Sequence, residues 1–319
     1  VYKRQSIYML AAGMAALSTS CSDFLDTVPK DQLAPSTTWQ TEADAKGFIV
    51  GCYKDLLDGN TLLYLDCGSD IGYNNFPWEG FRPWGDGSLS SSNPGQILYD
   101  YKSIRKANTF LENVDKVTFS SDAVKANYVA QAKAIRAYKY FLMNWWYGGV
   151  PIITEVQEPV ESSVTPRSSA KDCFDFICND LEKAETMLAP FTGAGQWMTG
   201  DNYGRVTSGT AVALLGRVRL LYASPLFNRS NDENRWKQAY TDIKRSIDVL
   251  AAAGYGLANE TPGTNASNWA KIFTEVPSKE AVFVTLHNTL TEGTPDYRKN
   301  NTWEQGIPVS YTHLRAHET

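Results

Sequence analysis

Six segments of this chain place an apolar residue every three or four positions, and no other pattern in it constrains the fold as strongly. Such a stripe lies on one face of an α-helix and has to be buried against a neighbour. The first segment, about Glu42 to Asp58, carries Ala45, Phe48, Cys52 and Leu56, with Thr41 and Asp44 in a capping-box pattern at its start. The second, Ile97 to Val117, runs through Tyr101, Ile104, Asn108, Leu111 and Val114. The third, Ala123 to Tyr147, stops at Gly148-Gly149 with Pro151 beyond. The fourth is Ala170 to Leu188, with Phe174, Ile177, Leu181, Ala184 and Leu188 inward and Ser169 and Asp172 as its cap. The fifth, Ser208 to Ala223, ends before Pro225. The sixth, Asn234 to Ala253, is expected to turn Trp236, Tyr240, Ile243, Ile247 and Leu250 inward. These spacings predict an all-α chain, an irregular tetratricopeptide-like scaffold of helical pairs with long aromatic-rich loops. Ala281 to Leu286 reads as a short strand, a minor strand element.

Composition narrows the function. At 319 residues and 43% hydrophobic the chain can bury a sizeable core, which excludes a disordered protein. A net charge of -5, with no block of basic residues, argues against nucleic acid as a partner. Ile7 to Leu17 is apolar but too short to span a bilayer, and Ser18-Thr19-Ser20-Cys21 follows it. That arrangement reads as a signal peptide over 6–20 with a loose lipobox, making Cys21 the lipid attachment site and the membrane anchor. Val1–Gln5 and Val309–Thr319 back-translate to the two orientations of one sequencing adapter, so 1–5 and 309–319 are expected not to be native. Residues 21–308 then form the single folded domain.

Catalytic and metal chemistry have little material. Two of the three histidines lie in the adapter-like tail, leaving His287, and no nucleophile-elbow, Walker or dinucleotide motif is present. Cys52, Cys67, Cys173 and Cys178 have no ligand spacing for zinc, so no metal and no cofactor is expected. Cys173 and Cys178 sit five apart on a helix and point to different faces; a Cys52–Cys67 bridge stays open.

Several segments in order carry a resemblance. Cys21-Ser22-Asp23-Phe24-Leu25-Asp26 resembles the mature start of SusD/RagB-family outer-membrane lipoproteins. Ala134-Ile135-Arg136-Ala137-Tyr138 and Trp146-Tyr147-Gly148-Gly149-Val150-Pro151 are similar to that family's long helix and its terminating turn. Gly204-Arg205-Val206-Thr207, Ser224-Pro225-Leu226-Phe227-Asn228, Asn268-Trp269 and Ser278-Lys279-Glu280-Ala281-Val282-Phe283 continue the match. The resemblance covers roughly the N-terminal half of a family member, so the 21–308 domain is expected to be cut short at its C-terminal end. It implies a binding protein and not an enzyme: a cell-surface lipoprotein on the outer membrane that passes oligosaccharides to a SusC-like TonB-dependent transporter. Some relatives bind peptides instead.

The ligand, on this reading, meets the long connection from Gly59 to Gln96. There Tyr73, Asn74, Trp78, Arg82 and Trp84 alternate rings with polar groups, as sugars require: stacking faces for C–H bonds, planar polar groups for hydroxyls. Trp303 is a further candidate, whereas Trp145 and Trp146 end a core helix and at least one of them is expected to be structural. Asp66, Asp70, Glu79 and Asp86 could supply a carboxylate pair for a glycoside hydrolase, but their spacing fixes no separation.

Overall fold

The computed structural model describes residues 39–53, 56, 65–70, 72–74, 80–95, 97–157, 165–188, 204–257, 280–283 and 308–310. Its described helices are α1 (Glu42–Tyr53), α2 (Arg82–Asp86), α3 (Tyr101–Asn113), α4 (Asp122–Tyr147), α5 (Ala170–Leu188), α6 (Ser208–Ala223) and α7 (Glu233–Ala252). Two three-residue strands, β1 (Gly72–Asn74) and β2 (Pro308–Ser310), pair antiparallel with Tyr73 opposite Val309. The chain is all-α in its core, as the periodicity predicts.

Local chemistry sets most boundaries. Thr41 and Asp44 exchange hydrogen bonds at the start of α1, the Thr41 amide donating to Asp44 at 2.8 Å and the Asp44 amide to the Thr41 hydroxyl at 3.2 Å. Ser169 accepts from the Asp172 amide at the start of α5, and Thr207 with Thr210 makes a reciprocal box at the start of α6. The long helix α4 ends where Gly148 and Gly149 take φ of 67° and 122°. Arg167 closes that end, donating to the backbone carbonyls of Tyr147 and Gly149. A side chain at Gly149 would bring its Cβ to 2.6 Å from the Ser168 carbonyl oxygen, so this crossing needs glycine.

From α3 to α7 each helix packs against the next in chain order, α1 packs on α3 and α4, and the short α2 packs on β1 and the turn at 65–68. One core lies between α4, α5 and α6, built on Tyr140, Phe141, Met143, Phe174, Ile177, Leu181, Leu188 and Leu215. A second joins α1, α3 and α4 through Ile49, Cys52, Phe110, Val114 and Ile135, with Trp39 over its edge. Each such side chain contributes about 1.5–3 kcal/mol of burial. The inward stripe read for α5 (Phe174, Ile177, Leu181, Ala184, Leu188) is buried throughout. Across the first core, Arg136 forms a bidentate pair with Asp180 (2.8 and 3.1 Å) and donates to Asn108 (2.8 Å). The Asn108 amide in turn donates to the carbonyls of Ile153 and Glu155, so α3, α4, α5 and the strap after α4 share one buried polar knot.

Three expectations fail. α3 starts at Tyr101 and not at Ile97, because the Asp100 carboxylate accepts from the Ser103 amide and caps the helix there. Ala281–Phe283 form a bend and not a strand, with Ala281 and Val282 against Tyr255 and Phe283 against the two main cores; the rest of that expected strand lies outside the described residues. Most instructive is α7, whose buried residues are Ala239, Asp242 and Ser246. Trp236, Tyr240 and Ile247 are 39%, 69% and 61% exposed. Ion pairs hold the helix in this rotation. Arg219 of α6 bridges Glu182 of α5 (2.8 Å) and Asp242 (3.4 Å), and Arg245 bonds Glu185 of α5 (3.0 Å). Ile243 and Leu250 tuck against Gly216 and Gly209, and the rest of the apolar stripe is turned outward.

The cysteines resolve the open pairing. Cys52, Cys67, Cys173 and Cys178 are all free and buried. Burial pushes the thiols of Cys52 and Cys178 up to about 12.

Candidate functional site: an aromatic ladder at the end of the long helix

The loop that precedes α3 folds back on the C-terminal turn of α4. A 3-10 turn, Leu65–Gly68, buries Cys67 beneath Phe81, and α2 follows with Pro83 in its first turn and Gly87 as a left-handed stop (φ 75°). This short helix aims Trp84 at α4. The Trp84 indole N–H donates to the Pro94 carbonyl at 3.3 Å. Gly95, at φ 66°, lies so close that a Cβ there would sit 2.3 Å from Trp84 Nε1. Gly68 backs the other side of the ring. The ring is therefore held by backbone on two sides, and its orientation is fixed before any ligand arrives.

From Trp84 the rings continue in both directions. Phe81 meets it edge-on at 5.6 Å, and Trp146 of α4 meets it edge-on at 4.8 Å. Trp146 stacks on Trp145 at 5.5 Å, and Trp145 on Phe141 at 6.0 Å. A second group lies beside it: Tyr99 over Tyr147 at 4.2 Å and beside Tyr101 at 6.0 Å, with Tyr147 accepting from the Leu98 amide. Tyr99 is exposed, and Trp84, Trp145, Trp146 and Tyr147 are half-buried. Half-buried rings in a row keep part of each ring at the surface while the rest is anchored in protein, and aromatic surface of this kind suits the C–H groups of sugars.

The polar residues around the ladder are already partnered. Arg82 pairs with Asp86 at 3.2 Å, and its guanidinium lies 5.1 Å from the centre of the Tyr73 ring. Hydrogen bonds from Ser88 hold the Asp86 carboxyl below its ordinary range, and Arg82 adds to this. Burial opposes ionisation of Asp100, but bonds from Lys139 (2.8 Å) and Ser103 outweigh it and leave its carboxyl lowered. Burial beside Tyr140 and Tyr99 raises the Tyr101 hydroxyl, which donates to the Pro151 carbonyl at 2.8 Å.

Of the residues singled out from the sequence, Tyr73, Arg82 and Trp84 come together on this loop. Asn74 lies in β1 at 1% exposure, inside the loop's own packing. Trp78, Trp303 and Cys21 fall outside the described residues. Sequence reasoning treated Trp145 and Trp146 chiefly as the end of a core helix and gave Tyr99 and Tyr147 no role. The signal was present as three consecutive aromatics, Trp145-Trp146-Tyr147, just before the Gly148-Gly149 stop. Three such residues at successive helical positions cannot all face one core. Among the described residues no group of His, Cys, Asp and Glu could hold a metal ion, and no helix is long and apolar enough to cross a membrane.

Comparison with known proteins agrees with this architecture. A family described as SusD-like, starch-binding associating with outer membrane, matches residues 23–220. A SusD-like protein of Formosa agariphila is 29% identical over 188 residues, covering 53% of this chain and 35% of its own length. A SusD-like protein of Bacteroides ovatus is 27% identical over 223 residues, covering 68% of this chain and 39% of its own. The crystal structure of a SusD-like protein from Bacteroides fragilis superposes with a TM-score of 0.66 at 26% identity, over 85% of this chain and 49% of that one. A laminarin-binding SusD-like protein shares the fold, with a TM-score of 0.57 at 21% identity over 74% of this chain and 49% of its own. The chain thus spans half or less of the length of these relatives. The family match covers more than half of the chain and includes the ladder and the paired helices beneath it, so the chain belongs to the SusD-like (SusD/RagB) family.

Proposed function

We propose that this protein captures oligosaccharides at the cell surface and passes them to a TonB-dependent outer-membrane transporter of the SusC-like kind, held to the membrane by lipid on Cys21. The observation that carries the binding step is the fixed ring of Trp84 set against Trp146 and Trp145. The family's description as starch-binding and outer-membrane-associated supports the same reading, as does the laminarin-binding relative of shared fold. No catalytic step is assigned: Asp86 is tied to Arg82 and Ser88, and the buried Asp180 is tied to Arg136.

The test is affinity electrophoresis of the purified protein through native gels containing polysaccharide. Trp84→Ala and Trp146→Ala should each reduce retardation, since loss of one stacking ring costs about 1–2 kcal/mol, or roughly 5- to 30-fold. Trp236→Ala, on α7 and away from the ladder, should leave it unchanged. Equal retardation of the Trp84→Ala and parent proteins, with the variant folded by circular dichroism, would remove the ladder as the binding surface. Retention of peptides but of no polysaccharide would change the cargo.

A further inference from the structure

Lys139, Met143 and Tyr147 follow one another at four-residue intervals along one stripe of α4, and all three hold the segment that leads into α3. The Lys139 ammonium pairs with the Asp100 carboxylate at 2.8 Å. The Met143 sulfur accepts from the Asp100 amide at 3.4 Å, and the Tyr147 hydroxyl accepts from the Leu98 amide at 2.9 Å. Asp100 also takes the amide and the hydroxyl of Ser103, at 3.1 and 2.7 Å. The backbone is therefore fastened on both sides of Tyr99, whose ring lies 4.2 Å from that of Tyr147 and 6.0 Å from that of Tyr101. Yet Tyr99 itself stays open. It is 43% exposed, and among the described residues no hydrogen bond engages its hydroxyl. A ring held in place and left at the surface is ordered in advance for a ligand.

We propose that Tyr99, backed by Tyr147, is a second sugar-contact subsite, which rests on the glycan reading above, and that the site thereby favours longer oligosaccharides over shorter ones. Trp146 and Tyr147 are successive residues of α4, so their side chains leave the helix about 100° apart. One sugar ring cannot lie against both the Trp84–Trp146 pair and the Tyr99–Tyr147 pair; touching both takes a chain of sugars. Trp84 takes one unit by its ring, and Tyr99 takes a later unit by its ring and its unengaged hydroxyl. Because the two contacts belong to one ligand, the second adds to the first without a second cost of bringing the ligand to the surface.

The full chain is first run through native gels containing laminarin, starch, xylan or alginate. The polymer that retards it most is cut to oligosaccharides of graded length, and their binding is measured by titration calorimetry. Affinity of the parent should keep rising with length beyond the point at which that of Tyr99→Ala levels off, and the longest oligomers should bind the variant about two- to tenfold more weakly. Trp84→Ala should weaken binding at every length. Tyr99→Ala that matches the parent at all lengths overturns the proposal and leaves the Trp84 reading standing. Tyr99→Ala that loses the same factor at every length also overturns it, because the tyrosine then only supports the loop. If no polymer retards the parent, the glycan reading itself falls and takes this inference with it.

Discussion

Single residues in this chain act mostly by what they exclude. Gly95 admits the Trp84 ring because it has no Cβ, and Gly149 lets the strap after α4 cross the residues before α5 for the same reason. Cys52, Cys67, Cys173 and Cys178 exclude chemistry, since each is a free thiol sealed in the core. Because the thiolate is the reactive form, burial that raises Cys52 and Cys178 to about 12 leaves them inert near neutral pH. A Cys21→Ser chain should therefore show no fast-reacting thiol toward a disulfide reagent at pH 8, and four after unfolding in guanidinium. Prompt reaction of any of the four in the folded chain would contradict the burial described.

Elements show where sequence was enough and where it was not. The bounds of α5 and α6 were legible to the residue because the apolar period agreed with a cap at Ser169 in one and with a following proline, Pro225, in the other. The start of α3 was misread because Ile97 extends the apolar period past the true cap at Asp100; periodicity cannot see a capping carboxylate. Within the site, Trp84 and Arg82 were legible as rings and charge on a glycine-rich loop. The partnership of Trp84 with Trp146 was not, since it joins residues 62 positions apart through folding alone. The polar knot under α4 was equally hidden, and it makes a strong prediction. Removing one partner of a buried, hydrogen-bonded pair costs about 3–5 kcal/mol, whereas replacing both by apolar groups costs much less. Asp180→Ala should lower stability to denaturant by about that amount, and Arg136→Met with Asp180→Leu should lower it less than either single change. Additive losses across that cycle, measured by urea unfolding, would show that the pair is not coupled.

At the scale of the whole molecule the stack is asymmetric: α4 and α5 are packed on apolar faces, while α7 is fastened by ion pairs of its Asp242 with Arg219 and of its Arg245 with Glu185. The periodicity of α7 pointed its apolar stripe inward because that signal carries no information about charges some 60 residues upstream. The outcome leaves Trp236, Tyr240 and Ile247 of one helix in solvent, with Leu220 and Leu226 exposed as well, and apolar surface of this kind favours association of chains with one another. The 319-residue chain should show concentration-dependent association by light scattering, and serine at positions 236, 240 and 247 should suppress it without lowering helicity. A monodisperse parent at high concentration would refute this. The fastening also gives the stack a direction of failure. Ion pairs near the surface weaken with added salt, and apolar cores do not, so salt loosens α7 before the other described helices. Among the described helices the array then behaves like a zipper in which one tooth is held by a different material from its neighbours: it opens at α7, and the ladder on α4 lies three helices away.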